Sequence, residues 1–563
     1  MSVNLLTGGE SSAAGGSRAD NGTYIHGNPN ENRVNSVRFY FFKENGEAAY
    51  VKRTAGNTLI NYLEWQSPAT SSPAAPDDDI VNIEKIVNVQ LVINTEEGDE
   101  LPYQIVAVVN PPADMPVIGS IDAVAAMNDI AGDYSVSGSG EGGFVMSNSV
   151  YADEAGSKIE AVPVFGHLFP NSESALRLPV TIFVERVNAK ATLNCELKRV
   201  AGEGMENTYD TGVKINNVTD KGLTPGKIYV RFLGWDVTQA TDKSYLMKHI
   251  DETWGSTEIF GALAGMNWNY PGGYRSFWAI NPGLVAPKEP GSNYVFRSFN
   301  EHKSAVGDFG EGEDNYLYLQ ENAALDADSG CAYPTQLIIA AQLVDESGTA
   351  LTLAEYGFFQ YTLAGLKVAM ADNAGIYRKE SVPEGSRFVK IDEGDLVLLS
   401  ATEAGKAGPT EDGRYWIYAA IKGTGTDGEP FNSDKLTDYY IGNGEDARLA
   451  TYAEVNERLA EDCGHAKLWL NGNTYYYADI RHLGSIQAAT DTEAAVPSKG
   501  AYGIVRNHIY ALNITALSGL GTPVYRPDEV IYPEKPDNEE TYIGADVKVL
   551  AWRLVNQDVS FAW

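Results

Sequence analysis

Basic residues are scarce in this chain of 563 residues. Lys and Arg number 42 against 76 Asp and Glu, a formal net charge of −34. Phosphates would be repelled by such a surface, so nucleic acid and anionic membranes are excluded as main partners. Cysteine is scarcer still: Cys195, Cys331 and Cys463 are the three present, far apart in sequence. That excludes a disulfide-dense scaffold or a cysteine zinc ribbon, and the expectation is three buried thiols. No apolar run reaches the length of a membrane-spanning helix, and Leu337–Leu343 fits a buried strand instead. The segment from Met1 to Gly9 has neither the charged start nor the apolar stretch of a signal peptide. The expectation is therefore a cytosolic chain or an export product written without its leader.

Catalytic spacing is also missing. There is no phosphate-binding GxxxxGK[ST] loop, no HExxH pair, no CxxC pair and no EF-hand loop. Gly138-Ser139-Gly140 lacks the earlier glycine of a nucleophile elbow, and Cys463 with His465 is a lone pair short of metal coordination. Acidic Asp77-Asp78-Asp79 and the acids of 311–314 read as solvated loops. The reading is a protein with no catalytic residues, no metal and no cofactor; the alternative of a polysaccharide-degrading enzyme stays open, since carboxylates paired in space among 76 acids leave no sequence motif.

What is present is strand signal. With 43% hydrophobic residues and 10% aromatic, the chain has enough apolar material for packed cores. Val37, Phe39 and Phe41 alternate ahead of Asn45-Gly46, and Gln104–Val109 stops at Asn110-Pro111-Pro112. Val180–Val184, Ala191–Cys195, Ile228–Val230, Tyr316–Leu319, Tyr475–Tyr477 and Ile509–Ile514 read alike. Short strands with Gly, Asn and Pro between them predict β-sandwiches. The best helical period is Tyr452–Cys463, where Val455, Leu459 and Cys463 lie four apart. Two sandwich domains are expected, divided near residue 245.

The two ends are unusual. Val3 and Leu5 alternate as a short strand, followed by a Gly/Ser/Ala tract that closes at Arg18-Ala19. An arginine ending such a tract is open to a trypsin-like protease, or the tract is a leader with a chance arginine. At the other end Val555, Gln557, Val559, Phe561 and Trp563 share one face. A tail apolar to its last residue either closes its own sheet or completes another molecule's sheet.

Several stretches resemble the fimbrillins, or type V pilins, of Bacteroidetes, in particular the minor-fimbrium major-subunit branch. They are Ser17-Arg18-Ala19, Phe144–Ser149, Val184–Lys190, Tyr318–Asn322 with Thr335–Ile339, Tyr475–Tyr477, Val505–Tyr510, Gly519–Pro523, and Ala551-Trp552 with Gln557–Val559. The resemblance implies an all-β chain of two tandem transthyretin-like sandwiches. Its expected division is an N-terminal strand and propeptide tract (1–18), an N-terminal sandwich (19–245), a C-terminal sandwich (246–546) and a donor-strand region (547–563). It further implies cleavage between Arg18 and Ala19, which removes a groove-occupying strand carrying Val3 and Leu5. Val555, Val559, Phe561 and Trp563 of a neighbouring copy would then fill the groove. The implied role is a shaft subunit of a surface fimbrium in adhesion and colonisation, exported through the outer membrane as a lipoprotein precursor. Its partners would be further copies in a head-to-tail filament, anchor and tip subunits, the maturation protease, and host or bacterial surface receptors. The alternative is a tip adhesin or carbohydrate-binding surface protein of the same fold.

Overall fold

The computed structural model describes residues 1–7, 31–53, 56–67, 85–94, 100–113, 115–127, 130–131, 143–152, 158–215, 226–249, 279–282, 286–287, 289–310, 312, 314–322, 333–405, 416–423, 434–482, 486–487, 496–497, 502–533 and 542–551. They form an all-β protein of several sheets with a few helices packed on them.

The first body is built on strands β1 (Ser2–Thr7), β2 (Ser36–Phe42), β3 (Tyr62–Gln66), β4 (Lys85–Gln90), β5 (Gln104–Val109), β6 (Met146–Asn148) and β7 (Val180–Arg186). Their order across the sheet is β3-β2-β5-β6-β7-β1-β4, with Val162–Pro163 added on β5. The alternation of Val37, Phe39 and Phe41 puts all three in the core, with Ile105, Val109, Ile182 and Val184. Tyr40 and Phe42, on the opposite face of β2, are buried as well. Residues 115–118 lie over that face: the Tyr40 hydroxyl donates to Pro116 O (2.8 Å), and Arg38 Nη1 donates to Met115 O (2.6 Å).

The second body is a sandwich. One sheet orders β11-β8-β14-β16, from β8 (Ala189–Cys195), β11 (Tyr316–Leu319), β14 (His508–Ser518) and β16 (Tyr542–Ala551). The other orders β9-β10-β12-β13-β15, from β9 (Thr208–Lys214), β10 (Lys227–Thr238), β12 (Gln336–Val344), β13 (Asn473–Asp479) and β15 (Thr522–Pro523). Between them pack Leu193, Leu512 and Ile514 from one side and Val230, Phe232, Ile339 and Tyr476 from the other. Helix α1 (Phe299–Ala305) covers the outer face of the five-stranded sheet, where Phe299 meets Ile338 and Tyr475. The helix backbone sits so close to Gly234 that a β-carbon there would lie 2.4 Å from Lys303 O, which only glycine accommodates.

A third body, with its own apolar core, is inserted between the neighbouring strands β12 and β13. Helices α2 (Leu363–Asn373) and α3 (Tyr452–Cys463) pack there between a five-stranded and a four-stranded sheet. The helix expected over Tyr452–Cys463 is present with those bounds, opened by a Thr451–Glu454 capping box, and its Val455, Leu459 and Cys463 are buried. Cys463 donates from Sγ to Met370 O (3.2 Å), and burial pushes its thiol up to about 11. Cys195 is half-buried and also unbridged, whereas Cys331 lies outside the described residues.

The apolar cores change over between Val187, in the first, and Ala189, in the second. The division near residue 245 expected from sequence thus falls beyond strands β8, β9 and β10, which pack in the second core. Leu246 and Met247 return to the first core.

Candidate assembly site: an inserted first strand beside a buried joint

Strand β1 occupies an internal place in its sheet. It runs parallel to β7, with Val3 opposite Val180 and Thr7 opposite Val184, and antiparallel to β4, with Ser2 opposite Gln90 and Thr7 opposite Lys85. Both of its edges are therefore hydrogen-bonded. Among the described residues, β1 is the one ladder partner of β4. Met1 and Ser2 are buried, and the Met1 ammonium donates to Leu91 O (3.2 Å) while burial lowers its pKa. Val3 and Leu5 lie on this strand, at the register positions of Val180 and Ile182.

The chain leaves the first core at Val187, and the joint it enters is polar, with Glu31, Arg186, Glu321 and Arg506 buried in it. Arg186, the last residue of β7, donates from Nε to Glu31 O (3.0 Å), from Nη1 to Asn507 Oδ1 (3.0 Å) and from Nη2 to Asn32 Oδ1. The Glu31 carboxylate accepts from Lys190 Nζ (2.7 Å) and the Tyr318 hydroxyl (2.6 Å). Burial, and next the Glu31 charge, push the Tyr318 hydroxyl pKa up, so Tyr318 stays the donor. A second cluster surrounds Arg506. Its Nη2 donates to Glu321 Oε2 (2.6 Å) and Tyr245 O (2.7 Å), and its Nη1 to Leu246 O (3.0 Å). The backbone N–H of Arg506 reaches Glu321 Oε1 (3.2 Å).

Local sequence explains this placement. Asn507 takes a positive φ of 58°, which asparagine tolerates, and turns the chain into β14. His508 opens that strand and donates from Nδ1 to Arg506 O (2.8 Å). The Tyr510 hydroxyl accepts from Val505 N (2.8 Å), with His482 Nδ1 2.9 Å away. Within the Val505–Tyr510 stretch, Arg506 and Asn507 thus reach across to the first body, while His508, Val505 and Tyr510 brace the turn itself. Buried charges hydrogen-bonded on several sides make a stiff connection.

Strand β16 is the last strand of its four-stranded sheet and pairs antiparallel to β14, with Val547 opposite Leu512 and Ala551 opposite His508. The first residues of the expected donor region, 547–551, are therefore laddered on their own chain. Arg18, Ala19, Val555, Val559, Phe561 and Trp563 lie outside the described residues. Glu31, Arg186 and Glu321 were not singled out from sequence. Arg186 ends its strand beside Glu185, so no apolar run on both sides marks it as a charge to be buried.

Among the described residues, no three His, Cys, Asp or Glu side chains converge as a metal site, and no helix is long and apolar enough to cross a membrane.

Residues 467–558 match the family described as major fimbrial subunit protein type IV, fimbrillin, C-terminal. The matched segment contains β13, β14, β15 and β16 with the Val505–Tyr510 turn. No curated protein sequence matches the chain. Among solved structures, a fimbrilin (FimA) from Porphyromonas gingivalis W83 aligns at 14% identity and TM-score 0.36, over 99% of this chain and 98% of that one. The tip fimbrial protein Mfa3 of Porphyromonas gingivalis, with a C-terminal truncation, aligns at 10% identity and TM-score 0.31, over 98% of this chain and 100% of that one.

Proposed function

We propose that this chain is a structural shaft subunit of a cell-surface fimbrium, polymerising by donor-strand exchange after cleavage between Arg18 and Ala19. The observation that carries the reading is the internal position of β1. A strand bonded on both edges leaves a two-sided slot when it departs, and β4 then needs a replacement partner. The family match over 467–558 supports the fimbrial role.

Chain lengths are compatible with this scheme. Thr7 lies opposite Val184, and Glu31 is held by Arg186 two residues further along the same strand. Residues 8–30 therefore join two points close together along β7, with Arg18 near the middle of the segment. The nine residues from Val555 span roughly 30 Å when extended at ~3.3 Å each, longer than the six-residue slot. Val555, Val559, Phe561 and Trp563 would enter a neighbour's core, with the polar residues between them facing outward. Such a contact is heterologous, so it propagates as an open filament. On this reading the subunit reaches the surface as a lipoprotein precursor and meets anchor and tip subunits in the assembled fimbrium.

Limiting trypsin tests the scheme. Mass spectrometry should show residues 1–18 released first, and electron microscopy should show filaments forming afterwards. Arg18→Ala should remain monomeric under the same treatment. A cleaved chain that stays monomeric at every concentration refutes donor-strand exchange.

A further inference from the structure

Arg18 is not the one arginine in this part of the chain. Arg33 is the next lysine or arginine after it, followed by Arg38. A trypsin-like protease that cut after Arg33 would remove Glu31 and Asn32, and with them the attachment of the chain to the joint. We propose that the Glu31–Asn35 segment is a strap that guards the Arg33–Val34 bond and so confines maturation to Arg18. The inference rests on the cleavage reading above, but the protection of Arg33 can be measured without it.

The strap is tied at successive residues. Glu31, fully buried, accepts from Lys190 and Tyr318, and its carbonyl accepts from Arg186. Asn32 is buried and accepts from the same guanidinium. The carbonyl of Arg33, which belongs to the bond a trypsin-like enzyme would cut, accepts from Asn110 Nδ2 (2.8 Å). Val34 is buried in the first core. The Asn35 N–H donates to Asn110 Oδ1 (2.8 Å), and the Asn35 carbonyl accepts from Ser67 N (2.7 Å). One side chain, Asn110, therefore grips both sides of the Arg33–Val34 bond. Asn110 itself follows β5 with a positive φ of 48°, so the turn that ends that strand also aims the clamp. The third residue of the arrangement is Gly143: a β-carbon there would lie 2.6 Å from Arg33 O and 2.4 Å from Asn110 Nδ2.

A protease must draw several residues on both sides of the bond into an extended cleft, which these contacts forbid until the segment opens. Where opening is fast relative to cutting, the cutting rate follows the population of the open form. Weakening a tie should therefore raise cutting at Arg33 in proportion, while Arg18, Arg38 and Arg53 keep their rates.

The experiment is limited trypsin digestion of the full chain, followed over time by intact-mass spectrometry. In the unaltered protein, cutting after Arg33 is expected to be at least about tenfold slower than after Arg18. In Glu31→Gln and in Asn110→Ala, cutting after Arg33 should rise about tenfold, with Arg38 and Arg53 still resistant. Comparable rates at Arg18 and Arg33 in the unaltered chain overturn the inference and leave the Arg18 reading standing. Resistance at Arg18 with Arg33 also protected overturns the Arg18 reading and leaves the strap standing. If Glu31→Gln unfolds the first body, cuts spread to Arg38 and Arg53, and Asn110→Ala decides by the same criterion. No selective rise at Arg33 in either variant refutes the strap.

Discussion

Deleting residues 1–7 from the chain will unfold its first body unless another strand takes their place. The removed segment is laddered to β7 on one edge and β4 on the other, and its start buries Met1 and Ser2. Each lost backbone hydrogen bond costs about 0.5–1.5 kcal/mol net, and more where the abandoned group stays buried. Strand β4 loses its ladder partner altogether among the described residues. Against a domain stability of about 5–15 kcal/mol, the sum is decisive. Circular dichroism should show loss of the cooperative melt of the first body, with the second and third bodies retained. A peptide of residues 555–563 added in trans should restore it. A truncated chain that melts like the intact one would mean β1 is an ornament of the sheet.

The second large effect lies in the joint. Glu321→Gln or Arg506→Met alone should destabilise the protein by about 3–5 kcal/mol, because each leaves a buried charge without its partner. The pair is 2.6 Å apart, with side chains 0% and 1% exposed, so water does not screen it. The double replacement Glu321→Gln with Arg506→Met should recover a good part of the loss, since no lone charge remains. Urea melts of the three variants check this. A loss below about 1 kcal/mol in both single variants would place the pair in the weak class of exposed ion pairs.

Much of the fold was legible because strand alternation is local. Gln104–Val109 and Tyr452–Cys463 are readable with the bounds they have, as each is fixed by side-chain period and by a stop or cap beside it. Helix α2 is not legible in this way: Leu363-Ala364-Gly365-Leu366-Lys367-Val368-Ala369-Met370 has small or apolar residues on nearly every side, so no stripe stands out. The third body escaped notice for a related reason. It enters between two strands that pair with each other, Gln342 opposite Asn473, and composition does not shift where it begins. The joint was the least visible feature. Glu31, Arg186, Glu321 and Arg506 come from four distant stretches, and a charge that will be buried looks in sequence like a charge that will be solvated. The Val505–Tyr510 stretch was distinctive by resemblance, and in the folded chain its Arg506 and Asn507 bind both bodies.

If the apolar tail serves another molecule's sheet, a chain ending at Leu554 shows it most directly, because strand β16, which ends at Ala551, is left intact. Were the tail to close its own sheet, the deletion would remove core side chains worth about 1.5–3 kcal/mol each and the melt would suffer. The expected result is a monomer on size-exclusion chromatography with an unchanged cooperative melt, which trypsin trims at Arg18 and which then forms no filaments. Loss of the melt together with assembly, or filaments that form without the tail, would contradict donation of the tail to a neighbour.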